Sequence, residues 1–252
     1  MSRVGILCPM AGEAEQVARH FRRTHTIRLA GMKAYEGRWH GIDCFAVQCG
    51  LGKTASAAGT QALITAARPD AVLLVGLAGA VHPSLRVGDV VLATHLIHHD
   101  LDARPLFPYT LIPDLGLKRL PADPRLSRAA RHGIGTLLAG GLAEHVGHPA
   151  VARFRLAHPR LRCGVILTGD QFIARQARGR LRRLFPQALG VDMEGASVAQ
   201  VCRMNRVPCA VIRIISDRAD RDAGMDFAAF LTQVAGRYIA ALAEAVVIAQ
   251  RR

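Results

Sequence analysis

The 252-residue sequence lacks several features that define other classes of protein. No stretch reaches the roughly 18 uninterrupted apolar residues that a membrane helix requires, which argues against a membrane protein. Aromatic residues make up only 5% of the chain, so few side chains are available for stacking on the bases of a single strand. The start, MSRVGILCPM, has too short an apolar run for a signal peptide. These absences predict a cytoplasmic protein.

The six cysteines include no CxxC pair. Most of them lie in apolar runs such as FAVQC and PCAVI, which is typical of buried free thiols in a reducing compartment. Metal sites built from thiolates generally need closely spaced pairs. The sequence therefore predicts no metal bound by cysteine.

The formal net charge of +14 is the feature that favours a polyanionic partner. Only three of the 33 basic residues are lysine, and an excess made of arginine is often a consequence of GC-rich coding. The densest basic run, residues 175–183, has the spacing of a solvated helix face. We therefore do not expect nucleic acid to be the main partner, and we keep it as an alternative.

Apolar runs alternate with helical patterns along the chain, and half of the residues are hydrophobic. The runs predict strands at residues 4–8, 42–49, 71–75, 89–93, 163–168, 190–192 and 209–215. The helical patterns cover residues 12–21, 54–67, 124–138, 194–204 and 227–249, with a further helix that ends at 184. Residues 100–124, rich in proline and leucine, are predicted to form a long irregular loop. The alternation predicts an α/β fold, with one domain over residues 1–252 and a central mixed, twisted sheet flanked by helices on both faces.

Ligands of such sheets bind at the carboxyl ends of the strands, so the loops after residues 8, 49, 75 and 215 form the candidate site. These loops begin PMAGEAE, GLGK, GLAGA and SDRAD. Each glycine segment alone is weak evidence, because glycine at a strand end often serves backbone geometry only. GLGK also lacks the distal glycine of a phosphate-binding P-loop.

The combination is much more specific than its parts. In this order the chain contains GLGK, VGLAGAV, RVGDVV, HHDLD, TGDQFI, FPQALGVDMEGASVAQVC and RIISDRAD. It thereby resembles the methylthioadenosine/S-adenosylhomocysteine nucleosidases, within the wider purine nucleoside phosphorylase type. The resemblance covers nearly the whole chain and is weakest between residues 109 and 161. It implies hydrolysis of the N-glycosidic bond of 5′-thio-substituted adenosines, a homodimer, and no metal or organic cofactor.

The resemblance assigns the chemistry to three charged residues. Asp217 matches the general acid that protonates N7 of adenine, and Glu13 matches the residue that orients the attacking water. Arg213 matches the arginine that helps to hold this water and a nearby carboxylate. Position alone favours a helix-capping role for Asp217 and a solvent-facing one for Glu13. The segment AVIRIIS around Arg213 is too apolar for a guanidinium exposed to solvent.

The other matched positions concern substrate binding. Glu194 matches the carboxylate that binds the ribose hydroxyls, Phe172 the aromatic residue that packs against adenine, and Ile173 the residue whose backbone binds the base edge. Met193 would line the sugar and 5′ pocket. The resemblance also assigns substrate contacts to Ala78, Gly79 and Ser216. It places Met10, Leu51 and Phe227 around the 5′-alkylthio group. Phe107 and Tyr109 match the segment that dimers of the family insert into the neighbouring site.

Leucine stands at two positions where phosphorolytic relatives carry groups that bind phosphate. Several of these relatives use an arginine just before the glycine segment and a serine inside it, and this chain has Leu74 and Leu77 there. The loss of both donors favours water as the nucleophile. The nucleosidases usually also have serine at the position of Leu77, which leaves other readings open. These are cleavage of a different nucleoside by water or phosphate, nucleoside binding without catalysis, and nucleic-acid binding.

Overall fold

A computed structural model describes residues 2–10, 12–173, 175–217 and 228–250, with the backbone alone at residues 175, 176 and 217. The strands are β1 Arg3–Cys8, β2 Arg22–Leu29, β3 Met32–Trp39, β4 Ile42–Gln48, β5 Ala71–Ala80, β6 Val90–His98, β7 Leu120–Pro121, β8 Leu161–Thr168, β9 Ala188–Asp192 and β10 Cys209–Asp217. The α-helices are α1 Glu13–Ala18, α2 Lys53–Ala67, α3 Pro124–Gly140, α4 Ala143–Val146, α5 His148–Arg153, α6 Arg175–Leu184, α7 Gly195–Met204 and α8 Gly236–Ala249.

The strands of the described residues form one mixed sheet in the order β10-β6-β8-β9-β5-β1-β4-β3-β2, with β7 paired to β6. Because β10 also pairs in parallel with β5, the five strands β10, β6, β8, β9 and β5 close into a ring. β1 extends this ring by pairing in parallel with both β5 and β4. The antiparallel strands β4, β3 and β2 complete the sheet on that side. The parallel strands β1, β5 and β10 therefore end at the same edge.

Apolar side chains cover both faces of the sheet. In β1, Ile6 packs into a cluster with residues of α1, α3 and α8, whereas the next residue, Leu7, packs into a cluster with residues of α2 and α7. Successive residues of a strand point to opposite faces, so a strand covered on both sides is apolar at consecutive positions. The predicted fold class, a mixed sheet flanked by helices, is confirmed.

The C-terminal segment Ala228–Ala249 is long and apolar enough to cross a membrane, judged by length and composition alone. More than half of its most apolar window is nevertheless buried inside the protein. α8 packs against α1 and α3, and the Tyr238 hydroxyl donates a hydrogen bond to the Gly88 carbonyl at 3.0 Å. Its apolar character is therefore that of a core helix.

The structure corrects the predicted elements at several places. Residues 22–39 form the strands β2 and β3, which the pattern did not indicate, because β2 is an edge strand whose first five residues are exposed. GLAGA, predicted to be a loop, continues β5 to Ala80, where its last residues pair with β9. The first helix ends at Ala18, before the turn into β2, and the C-terminal α-helix begins at Gly236 after a π-helical turn.

Candidate active site

A cavity of about 180 Å³ opens where β1, β5, β9 and β10 end. Its lining residues come from the segments that follow or finish these strands and from two loops at the rim. They are Pro9, Met10, Glu13, Leu51, Leu77, Ala78, Gly79, Gln171, Phe172, Ile173, Val191, Asp192, Met193, Glu194, Arg213 and Ser216. The cavity therefore occupies the edge of the sheet that the sequence predicts for the site.

A larger groove of about 530 Å³ lies between Pro121 and Arg203, away from these strand ends. Its one carboxylate, Asp123, caps α3 by accepting a hydrogen bond from the Leu126 amide at 2.7 Å. Capping satisfies the free amides of a helix start. The smaller cavity, which gathers several buried charges, is therefore the candidate active site.

Arg213 lies at the centre of the buried charges. Its side chain is fully buried, its Nε donates to Asp192 Oδ2 at 2.7 Å, and its Nη2 donates to Glu194 Oε2 at 3.1 Å. A Cβ atom at Gly76 would lie 2.3 Å from Arg213 Nη1. Residue 76 is therefore glycine because the Arg213 guanidinium approaches the backbone of β5 closely, and not because a turn requires glycine there.

Glu194 is fixed from a second direction by the GLGK segment. The Gly52 amide, in a backbone conformation with φ of 87°, donates to Glu194 Oε1 at 3.0 Å. Burial raises the pKa of Glu194 above its usual value, although the positive charge of Arg213 opposes this shift. Both carboxylate oxygens are therefore held in place, one by an amide and one by a guanidinium.

Glu13 begins α1 and is 2% exposed. Its Oε2 accepts a hydrogen bond from the Met10 amide at 2.9 Å. Burial raises the pKa of Glu13 to about 7, against the opposing effects of the Met10 hydrogen bond and the Arg213 charge. Among the described residues, Glu13 Oε1 and Arg213 Nη1 are buried without a hydrogen-bond partner, and such atoms ordinarily bind water or a ligand.

The remaining walls of the cavity are mostly apolar. Leu77 and Met193 are half-buried in the lining, whereas Leu51 and Phe172 have 59% and 63% of their surface exposed. Small, mostly apolar pockets with a few fixed polar groups are typical of sites that bind small organic molecules.

Comparison with known proteins agrees with this geometry. A family model described as the phosphorylase superfamily matches residues 3–248. The methylthioadenosine/S-adenosylhomocysteine nucleosidase of Chromohalobacter salexigens is 35% identical over 98% of this chain and 97% of its own.

The chain belongs to the phosphorylase superfamily, and within it to the methylthioadenosine/S-adenosylhomocysteine nucleosidase family.

Similar solved structures include a member of this family and a futalosine hydrolase. The Neisseria meningitidis nucleosidase in complex with methylthio-immucillin-A has a TM-score of 0.85 at 27% identity, over 98% of this chain and 99% of its own. A Helicobacter pylori futalosine hydrolase has a TM-score of 0.81 at 29% identity, over 98% of this chain and 97% of its own. The resemblance stated from the motifs is thus confirmed.

Most residues matched to this nucleosidase family lie together around the cavity. Of the residues predicted to be catalytic, Glu13 and Arg213 line it. The residues predicted to bind substrate that line it are Glu194, Met193, Phe172, Ile173, Ser216, Ala78, Gly79, Met10 and Leu51. The backbone of Asp217 ends β10 and pairs with Gly79, while its side chain lies outside the described residues. Phe227 also lies outside them.

Phe107 and Tyr109 do not line the cavity of their own chain. Phe107 is 41% exposed. Tyr109 is half-buried, packs 6.2 Å from the ring of Phe185, and donates a hydrogen bond from its hydroxyl to the His99 carbonyl. Their predicted place at a neighbouring subunit's site stays a prediction.

Sequence reasoning missed Asp192 as a member of the site. This aspartate accepts hydrogen bonds from Arg213 and, at 2.6 Å, from the Thr168 hydroxyl, and it is 6% exposed. It stands in the motif VDMEGA, at the end of the strand predicted over residues 190–192, where the sequence predicts no role for it. The signal that could have found it was the apolar setting of Arg213, because a buried guanidinium requires buried carboxylates nearby.

Proposed function

We propose that this protein hydrolyses the N-glycosidic bond of 5′-thio-substituted adenosines and releases adenine. The observation that carries the proposal is the charge of the cavity. Three buried carboxyl groups, those of Glu13, Asp192 and Glu194, accompany one guanidinium, that of Arg213. Cleavage of this bond leaves positive charge on the sugar, so a lining with an excess of carboxylates favours the transition state over the neutral substrate.

Each group has a role that its environment supports. Glu194, held by Gly52 and Arg213, would accept hydrogen bonds from the ribose hydroxyls. Glu13 has a pKa of about 7, which is suitable for a general base that takes a proton from water near neutral pH. By family resemblance, Asp217 would protonate the departing base, and its backbone ends β10 beside Gly79, which lines the cavity.

Water is the proposed nucleophile because the cavity offers little to a phosphate ion. Arg213 is its one cationic lining residue among the described residues, and this arginine already pairs with Asp192 and Glu194. Leu77 lines the cavity where phosphorolytic relatives carry a hydroxyl. Leu74 bears less on this point than the sequence indicates, because it is fully buried in the core.

Hydrolysis of futalosine is the second candidate. A futalosine hydrolase is similar to this chain over nearly its whole length. Leu77 also departs from the serine usual in the nucleosidases, and this residue lines the cavity. A change at that position would alter the contacts made by the sugar and its 5′ substituent.

The test is adenine release from a panel of 5′-substituted adenosines, with futalosine included for release of its own base, each with and without phosphate. We expect release from methylthioadenosine that does not depend on phosphate. Asp217→Asn serves as the inactive variant, and it should keep its circular dichroism spectrum while losing turnover. Base release only with phosphate, or only from futalosine, would contradict the leading proposal.

We further propose that the protein is a cytoplasmic homodimer. Leu106 and Phe107 are neighbouring apolar residues exposed by 82% and 41%, and adjacent exposed apolar side chains often belong to an interface. All six cysteines are free, as expected in a reducing compartment. Light scattering after gel filtration measures the oligomeric state, and a monomer at micromolar concentration would contradict the dimer.

A further inference from the structure

Three residues at the rim of the cavity form a closed ring of hydrogen bonds, which we call the rim ring. They are Lys53 at the start of α2, Asp100 after β6 and Asp170 after β8. Lys53 Nζ donates to Asp100 Oδ1 at 2.7 Å, the Asp170 amide donates to Asp100 Oδ2 at 2.9 Å, and the Lys53 amide donates to Asp170 Oδ1 at 2.8 Å. Lys53 Nζ also lies 3.6 Å from Asp170 Oδ2.

The rim ring joins the two sides of the site. Asp170 directly precedes Gln171, Phe172 and Ile173, which line the cavity. Lys53 directly follows Gly52, whose amide holds Glu194. Two successive amides of the GLGK segment therefore bind two different carboxylates. The Gly52 amide binds Glu194, and the Lys53 amide binds Asp170, next to the Gln171–Ile173 segment.

The backbone at Gly169, directly after β8, lies close to side chains of the residues that follow β6. A Cβ atom at Gly169 would lie 2.3 Å from His99 Nε2 and 3.0 Å from Asp100 Oδ2. Burial opposes ionisation of Asp100, but hydrogen bonds from Lys53 and Asp170 outweigh it and lower the pKa of this carboxyl below its usual value. Asp100 is thus an anion at neutral pH that holds both a lysine and a loop amide.

We propose that Lys53, Asp100 and Asp170 are positioning residues that fix the segment Gln171–Ile173 over the cavity and thereby set the affinity for the purine base. This inference rests on the proposed function, in which that segment contacts adenine. A loop that is already ordered loses less conformational entropy when the ligand binds. The rim ring contributes to base and transition-state binding alike, so its loss raises KM and leaves kcat nearly unchanged.

The test compares Lys53→Met, Asp100→Asn and the double variant with the wild-type protein. Lys53→Met removes one bond of the ring and leaves the Lys53 amide bond to Asp170. We expect KM for methylthioadenosine and Kd for adenine each to rise about tenfold, with kcat within about twofold. Because the two residues act in one ring, the double variant should be little worse than either single variant. Lys53→Arg should recover most of the affinity.

Lys118→Met is the matched control, since it removes the same charge from an exposed lysine that does not line the cavity. Unchanged KM and adenine Kd in Lys53→Met, or a fall in kcat alone, would overturn the role of the rim ring. Adenine binding is measured without turnover, by calorimetry, so it decides this point even if the wild-type protein releases no adenine. A wild-type protein that releases none contradicts the proposed function, and one that also fails to bind adenine overturns both.

Discussion

Two charge networks in this nucleosidase-family protein use the same kinds of side chain and differ in burial. In the inner network, the side chains of Arg213, Asp192 and Glu194 are at most 4% exposed. In the rim ring, the side chains of Lys53, Asp100 and Asp170 are 24% to 50% exposed. Both networks connect segments that are far apart in the sequence.

The difference in burial separates two tasks. Burial raises the pKa values of Glu13 and Glu194, and Glu13, with a pKa of about 7, can exchange protons near neutral pH. At the rim, solvent and hydrogen bonds keep Asp100 ionised, with its pKa lowered. We infer that the inner network carries out the chemistry, whereas the rim ring attaches the loops around the cavity to one another.

Arg213→Met should have the largest effect. It leaves Asp192 and Glu194 buried without a cation, and an uncompensated buried charge costs about 3–5 kcal/mol. We expect Tm at pH 8 to fall by roughly 10 °C, with adenine release abolished. The fall in Tm should be smaller at pH 5, because Glu194, whose pKa burial already raises, loses the opposing charge of Arg213 and takes up a proton more readily.

The control for this variant is Arg38→Met. Arg38 lies 3.2 Å from Asp43, with both side chains about half exposed, and exposed pairs contribute roughly 1 kcal/mol or less. Differential scanning fluorimetry at the two pH values measures Tm. Similar shifts in the two arginine variants would refute the importance of burial.

Glu13→Gln should have the next largest effect, seen in the pH dependence. If ionised Glu13 activates water, wild-type kcat/KM falls tenfold per pH unit below about 7, the pKa of this group. The variant should be about 10²- to 10³-fold slower and should lose this acidic limb. Glu15→Gln, at a glutamate of the same helix whose side chain is 46% exposed, is the control and should keep the wild-type profile.

The same variant also has a stability signature. The folded-state pKa of Glu13 is raised from 4.5 to about 7, so the folded protein binds the extra proton between these values. The contribution of Glu13 to stability is therefore lost as pH rises from about 4.5 to 7, by up to about 3 kcal/mol. The Tm of Glu13→Gln relative to wild type should rise over this range and level off above it. A relative Tm that does not change with pH would argue against a buried, neutral Glu13.

The fold could be predicted where burial is complete. β1, β5 and β10 are covered on both faces, and their continuous apolar runs identified them. β2 could not be found, because an exposed edge strand such as RRTHTIRL needs no apolar alternation. GLAGA was wrongly predicted to be a loop because its glycines suggest a turn. Gly76 in fact makes room for the Arg213 guanidinium, which no local pattern reveals.

The site could be predicted as far as the motifs reach. Glu13, Glu194 and Arg213 were identified by resemblance, and they do line one cavity. Asp192 and the rim ring were missed, because their roles depend on partners distant in sequence. Asp170 bonds to a residue 70 positions away, and Lys53 bonds to one 47 positions away. Only the closed sheet brings these pairs together.

Loss of the Lys53 charge should have the smallest effect on stability. The pairs of Lys53 with Asp100 and Asp170 are a quarter to a half exposed, and pairs of this kind contribute about 1 kcal/mol or less. We therefore expect Lys53→Met to lower Tm by no more than about 4 °C at pH 8, and by less in 0.5 M salt, which screens the wild-type pairs. A fall in Tm as large as that of Arg213→Met would mean that the rim ring stabilises the whole fold. The division between chemistry and attachment would then fail, because a network that supports folding cannot be assigned to loop positioning alone.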